Sequence, residues 1–236
     1  MRYHNITKDD MLNGDGLRAV LWTAGCIHNC TECHNPGTHD PNGGIPFDEA
    51  AKEELFSYLE ADYIDGITFS GGDPLHKNNV EQVYDLIFEI REKFPDKTIY
   101  LYSGFVYEDI RRFGGYQNES SKHIASVRRE IIDNIDVFID GPFIPILKDV
   151  KYPHAGSINQ RVIDIKATKE CGRVVNRNED YVINWLNKMS EANTDESIKA
   201  LNTFHAYCFN RVLMNTEKLF EGIDLHRVNY EFSFET

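Results

Sequence analysis

The chain has 236 residues, 41% of them hydrophobic and 12% aromatic, enough for one well-filled core and a small annex. Its formal net charge of −13 sets it against nucleic acid and anionic membranes, either of which would repel it. No apolar run approaches the roughly 20 residues of a membrane helix, Met1 to Ile6 lacks the form of a signal peptide, and five cysteines with three packed together make no secreted disulfide framework, so a cytoplasmic protein is expected.

Tyr3 to Ile6 reads as a short edge strand and Asn13-Gly14-Asp15-Gly16 as a turn. Leu17 to Thr23 carries Leu, Val, Leu and Trp with few polar breaks, as a strand covered on both faces would. It runs through Gly25 into Cys26-Ile27-His28-Asn29-Cys30-Thr31-Glu32-Cys33, a CxxxCxxC loop. The loop continues to Gly43-Gly44, and Pro36, Gly37, Pro41 and Asn42 argue against regular structure within it. A long irregular loop in a compact domain is usually functional or disordered, and the cysteines favour function.

Asp48 to Leu59 places Ala51, Leu55, Tyr58 and Leu59 at helical spacing. Ile64 to Ser70 predicts a buried strand that enters Gly71-Gly72-Asp73-Pro74-Leu75. The next helix runs from near Asn79 through Val80, Leu86 and Ile90 to its stop at Pro95. Thr98 to Tyr102 predicts a third strand ending at Ser103-Gly104, and Ile135 to Ile139 a fourth ending at Asp140-Gly141. Between them, Gly114-Gly115 reads as a turn, Gln117 to Lys122 as a polar loop, and Ile124 to Ile132 as a helix with Arg128 and Arg129 exposed on a solvated face.

Arg161 to Ile165 predicts a last strand, after which composition shifts. Asn176 to Ser190 and Asp195 to Phe220, the latter reaching through Leu213 and Leu219, predict helices, and Val228 to Phe234 alternates like a terminal strand. Residues 1–166 are expected to form a core and 167–236 an extension packed on it. Cys171, Cys208 and His205 have no metal-like spacing and are expected to be structural.

Three sulfurs within eight residues of one loop can converge on one object. A structural zinc site needs four protein ligands, as does an ordinary four-iron electron carrier. No fourth cysteine is near; His28 and His34 would complete a zinc site, so a zinc-binding interaction module stays open. Three thiolates on a cubane instead leave one iron open to a cofactor. The two glycines of the second motif let a ligand approach the main chain, where carbonyls and Asp73 could hold an ammonium group. In parallel β/α architecture ligands collect at strand C-termini, which adds Ser103 and Asp140.

Together these motifs resemble the radical S-adenosylmethionine superfamily, in which CxxxCxxC holds a [4Fe–4S] cluster and a Gly-Gly-acid turn contacts the methionine amino group. The match narrows to the activating proteins of anaerobic ribonucleoside-triphosphate reductase. It does so on Asn13 to Arg18, Gly25 to Asn35, Ser70 to His76, Phe138 to Phe143 and Gly156 to Arg161, covering about residues 1–166.

The resemblance implies an α/β fold: a partial, open β/α barrel with a mostly helical C-terminal extension. It implies Cys26, Cys30 and Cys33 as cluster ligands. It implies Glu32, Cys33, His34, Ser70, Gly71, Gly72, Asp73, Ser103 and Asp140 around S-adenosylmethionine. Many members have an aromatic residue where this chain has Glu32, so adenine contacts at Glu32 and His34 fall to the backbone. The implied activity is reductive cleavage of S-adenosylmethionine to set a glycyl radical on the large subunit of the anaerobic reductase. Flavodoxin or ferredoxin would be the electron donor. Activases of pyruvate formate-lyase and carboxy-deazaguanine synthases are alternatives within the superfamily.

Overall fold

In a computed structural model, residues 1–112 and 118–211 are described. The expected Gly114-Gly115 turn, the positions Leu213 and Leu219 and the Val228 to Phe234 strand lie outside the described residues. Seven strands form one sheet: β1 (Arg2–Asp10), β2 (Arg18–Thr23), β3 (Ile45–Pro46), β4 (Gly66–Gly71), β5 (Thr98–Ser103), β6 (Val137–Asp140) and β7 (Arg161–Asp164). Their spatial order is β3-β1-β2-β4-β5-β6-β7. The central four are mutually parallel, whereas β1, β3 and β7 pair antiparallel with their neighbours.

Parallel neighbours require crossovers, and the helices provide them. α1 (Glu49–Leu59) links the β2 side to β4, and Asp48 caps it by accepting from the Ala51 amide at 3.1 Å. α2 (Val80–Lys93) leads to β5 and stops ahead of Pro95. α3 (Tyr107–Arg111) and α4 (Glu119–Asp133) lead to β6, with Asn118 and Ser121 forming a capping box. α5 (Ile165–Cys171) follows β7 directly, and α6 (Glu179–Ala192) and α7 (Asp195–Arg211) complete the described chain. Among the described residues no helix is long and apolar enough to cross a membrane.

Alternation along the strands sends Ala19, Leu21, Ile67, Phe69, Ile99 and Leu101 to one face, where they form a core with Leu55, Leu59, Ile87, Ile90 and Ile131 of the helices. Each fully buried leucine, isoleucine or phenylalanine among them contributes about 1.5–3 kcal/mol. The opposite face carries Tyr100, Val137, Ile139 and Val162, against which Tyr102 and Ala155 pack. Arg18 is also on this side and fully buried. All five of its N–H groups find acceptors, on Thr68 Oγ1, Thr98 Oγ1 and the carbonyls of Asp15, Ile67 and Thr98, and its guanidinium lies 4.1 Å from the Tyr100 ring centre. Burial lowers its pKa; the saturated fork and the aromatic face compensate the lost hydration.

Several expectations are corrected. β1 has nine residues rather than four and is not the edge, because β3 pairs outside it. The cysteine loop contains a 3-10 turn at Pro36–Thr38. Glu119 to Lys122 is helical, and α3 and α5 went unpredicted. Arg128 is not solvated: it stacks 4.0 Å over the Phe105 ring and donates to the Leu75 carbonyl at 2.9 Å. Arg129 is half-buried as well. Cys208 is buried, as expected of a small hydrophobe, but Cys171 is exposed.

A second core gathers Val182, Trp185 and Leu186 of α6 with Phe204 and Cys208 of α7 around Leu147, Tyr152 and Ile158. Before α6, residues 175–177 run beside β7: the Asp164 amide donates to Val175 O at 3.0 Å and the Arg177 amide to Val162 O at 2.8 Å.

Candidate functional site

All four parallel strands end in one place. A cavity of about 300 Å³ opens there, lined by Cys26, Cys30 and Cys33 beyond β2, by Ser70, Gly71 and Gly72 at β4, by Ser103 and Gly104 at β5, and by Gly141 to Phe143 after β6. Strand C-termini are where α/β sheets bind ligands, because the loops that follow diverge and leave a crevice.

The cysteine loop is anchored at its base, where the Gly25 amide donates to Thr38 O at 2.8 Å and the Cys26 amide to His39 O at 3.0 Å. Asn29 and Glu32 adopt left-handed backbone, φ 47° and 56°, which turns the chain twice within eight residues and brings all three thiols to the cavity. The thiols are half-buried. Burial pushes Cys26 up to about 11 and raises Cys30 also. A guest that needs three thiolates here must itself be cationic enough to deprotonate them. Among the described residues no three His, Cys, Asp or Glu side chains stand close enough to share one metal ion. Three thiols of one loop opening on one cavity fit a four-iron cluster with one iron left open.

The facing turn is pressed against the cysteine strand. Gly71 has φ 102°, and a Cβ there would lie 2.6 Å from the backbone of Thr23; a Cβ at Gly72 would lie 2.5 Å from Gly25 O. The amides of Gly72 and Asp73 donate to Thr23 O and Gly25 O, each at 2.8 Å. Only glycine permits this approach, which leaves main chain rather than side chain facing the cavity.

Asp73 does not line that cavity. It is fully buried, with Oδ1 accepting from the Leu75 amide at 2.8 Å and the Ser103 hydroxyl at 2.9 Å, while Oδ2 lies 2.7 Å from His28 Nε2. The Gly104 amide adds a contact at 3.3 Å. Asp140 is likewise buried: it accepts from Arg161 Nε at 3.0 Å and the Tyr107 amide at 2.9 Å, and Arg161 also grips both oxygens of Glu108. Burial opposes the Arg161 charge, and the facing Asp140 and Glu108 carboxylates more than offset it, so its pKa is raised. Both aspartates therefore sit behind the cavity wall. Glu32 is exposed and outside the lining, whereas His34 lines the cavity with its ring 5.1 Å from that of Phe143.

His28 is the residue sequence reasoning underused. It was considered only as a zinc ligand, yet it bridges the cysteine loop to Asp73 and packs edge-on to Phe105 at 4.7 Å. Its place inside the CxxxCxxC loop was the available signal. Gln160 was missed as well: its Oε1 accepts from the Gly156 amide at 3.0 Å and its Nε2 donates to Gly141 O at 3.0 Å, folding the last loop onto the cavity.

Residues 12–163 match a family model described as a 4Fe-4S single cluster domain. The anaerobic ribonucleoside-triphosphate reductase-activating protein of Enterobacteria phage T4 is 35% identical over 162 residues, 69% of this chain and 93% of that one. The protein of the same name from Escherichia coli K12 is 34% identical over 164 residues, 69% and 97% of the two chains. That from Haemophilus influenzae is 31% identical over 162 residues, 68% and 96%. The chain belongs to this family of activating proteins. The resemblance drawn from the two motifs is thereby borne out, and the family model carries a 4Fe-4S domain across both of them. The model match stops at residue 163, so α5, α6 and α7 lie outside it.

Proposed function

We propose that this protein is a radical S-adenosylmethionine activase for anaerobic (class III) ribonucleotide reductase. Cys26, Cys30 and Cys33 would hold a [4Fe–4S] cluster with one iron open. The observation that carries this reading is the convergence of three thiols and a bare Gly71-Gly72 main chain on one cavity at the ends of four parallel strands. When bound, the cluster would supply the one electron that cleaves S-adenosylmethionine to methionine, with the hydrogen atom taken from the reductase glycine ending on 5′-deoxyadenosine.

The chain's own residues bind, orient and exclude water. The Gly71 and Gly72 carbonyls would accept from the methionine ammonium, and the main chain at His34, which lines the cavity where Glu32 does not, would receive the adenine. Asp73 fixes His28, Ser103 and Gly104 from behind, and Asp140 holds the Tyr107 amide beyond β5 and Arg161 of β7, so both act through neighbours. Ser70 and Ser103 form the floor. Fixed acceptors of this kind need no rearrangement when the cofactor arrives. The open β/α barrel is the architecture this chemistry uses, with residues 1–166 as core and 167–236 as extension.

The partner would be an anaerobic ribonucleoside-triphosphate reductase, as the relatives' name suggests; the site of action on it would be the glycyl-radical loop of its large subunit, and the donor flavodoxin or ferredoxin. A cytoplasmic, oxygen-sensitive protein without nucleic-acid or membrane partners fits a net charge of −13. Anaerobic incubation of the iron-loaded protein with S-adenosylmethionine, a flavodoxin reducing system and the reductase tests the proposal. The expected result is methionine release matched by a glycyl-radical doublet on the reductase. Methionine without the doublet would move the protein to another radical enzyme class, and neither product would end the reading.

A further inference from the structure

The family match ends at residue 163, yet two side chains from beyond it reach the turns that border the cavity. Arg177 Nη1 donates to the Tyr100 hydroxyl at 2.6 Å and lies 3.0 Å from Asp15 Oδ2. The Tyr100 hydroxyl donates to the same Asp15 oxygen at 2.7 Å, and His154 Nε2 lies 2.9 Å from the other. Tyr100 is buried in the sheet, and the Arg177 amide is fixed to Val162 O, so both ends of this link are anchored. Asp15 lies two residues after Asn13, whose side lines the cavity and whose carbonyl accepts from Thr68 Oγ1 at 2.7 Å.

The second contact comes from α7. A Cβ at Gly141, where φ is 94°, would lie 2.5 Å from the Tyr207 hydroxyl oxygen. Gly141, Pro142 and Phe143 line the cavity on that flank. Burial raises the Tyr207 pKa, keeping its hydroxyl protonated beside Asn159, and the neighbouring Phe204 and Cys208 lock α7 into the second core.

From these two contacts we infer that residues 175–211 are a positioning element for the cavity: Arg177 holds the 11–16 turn and Tyr207 backs Gly141, pre-setting both for S-adenosylmethionine. The identity of the ligand rests on the function proposed above; the bracing does not. Pre-setting lowers the ordering that binding would otherwise require. Arg177 and Tyr207 touch no reacting atom and act through Asp15, Tyr100 and Gly141.

Hydrogen exchange on the 236-residue chain without cluster reads the brace independently of the chemistry. Arg177→Met is expected to speed exchange in peptide 11–16 about two- to fivefold, the range of a partly exposed ion pair, with Arg177→Lys closer to wild type. Tyr207→Phe is expected to do the same at 141–143. In iron-loaded protein the dissociation constant for S-adenosylmethionine should weaken by a similar factor with an unchanged melting temperature. Unchanged exchange at both turns would overturn the inference, as would faster exchange with unaltered affinity, which would make the contacts structural only. If wild-type protein binds no S-adenosylmethionine, the proposed function falls, and the positioning role falls with it even where exchange shows the turns braced.

Discussion

The cysteine loop and the turn it faces share one cavity but reach it by opposite means. From Cys26 to Asn35 the chain exposes Ile27 at 60%, leaves its thiols half-buried and twice adopts left-handed backbone at residues other than glycine. From Gly71 to Leu75 it buries Asp73 completely and engages both carboxylate oxygens with four different residues. The turn is finished without a guest, while the loop holds thiols, Cys26 and Cys30 among them, on which burial tightens the proton that a guest must displace. His28 joins the two, so the finished wall sets the position of the unfinished one.

The sharpest way to break that contrast is to remove the buried carboxylate. Asp73→Ala strands the Leu75 and Gly104 amides and the Ser103 hydroxyl, and is expected to cost about 2–4 kcal/mol in urea unfolding of the cluster-free protein. Glu32→Ala, on the exposed loop, should change it by no more than about 0.5 kcal/mol. Equal costs would mean that the two walls are not built differently.

A smaller effect sharpens the loop side. Because burial raises the Cys26 thiol from an ordinary value of 9.0 to about 11, the folded state holds that proton more tightly than the unfolded chain. Its contribution is fully present below about pH 9 and is lost as pH rises through about 11. Cluster-free protein should therefore lose stability across that window in thermal unfolding, and Cys26→Ser should flatten the decline. A profile unaffected by the substitution would assign the decline to other groups.

The site was legible where spacing alone carries chemistry. Three cysteines in eight residues and a strand running into Gly71-Gly72 need no tertiary information, and both meet in the cavity. The direction of Asp73 was not legible, because its partners His28, Ser103 and Gly104 come from two other strand ends. Arg128 misled for the same reason: helical spacing put it on a polar face, but Phe105 and the Leu75 carbonyl arrive from elsewhere. β1 was cut short because register shifts after Tyr3 and Thr7 break the two-residue alternation. The length of α5, seven residues, gave too few turns for a periodic signal.

Whether Cys26, Cys30 and Cys33 hold a cluster with one iron open is read by anaerobic electron paramagnetic resonance on iron- and sulfide-loaded, dithionite-reduced protein with and without S-adenosylmethionine, alongside Cys30→Ala. An open-iron site gives a reduced [4Fe–4S] signal in the wild type that shifts when S-adenosylmethionine is added and is lost in the variant. A silent wild-type sample carrying stoichiometric zinc would contradict it, and so would a cluster signal that ignores S-adenosylmethionine.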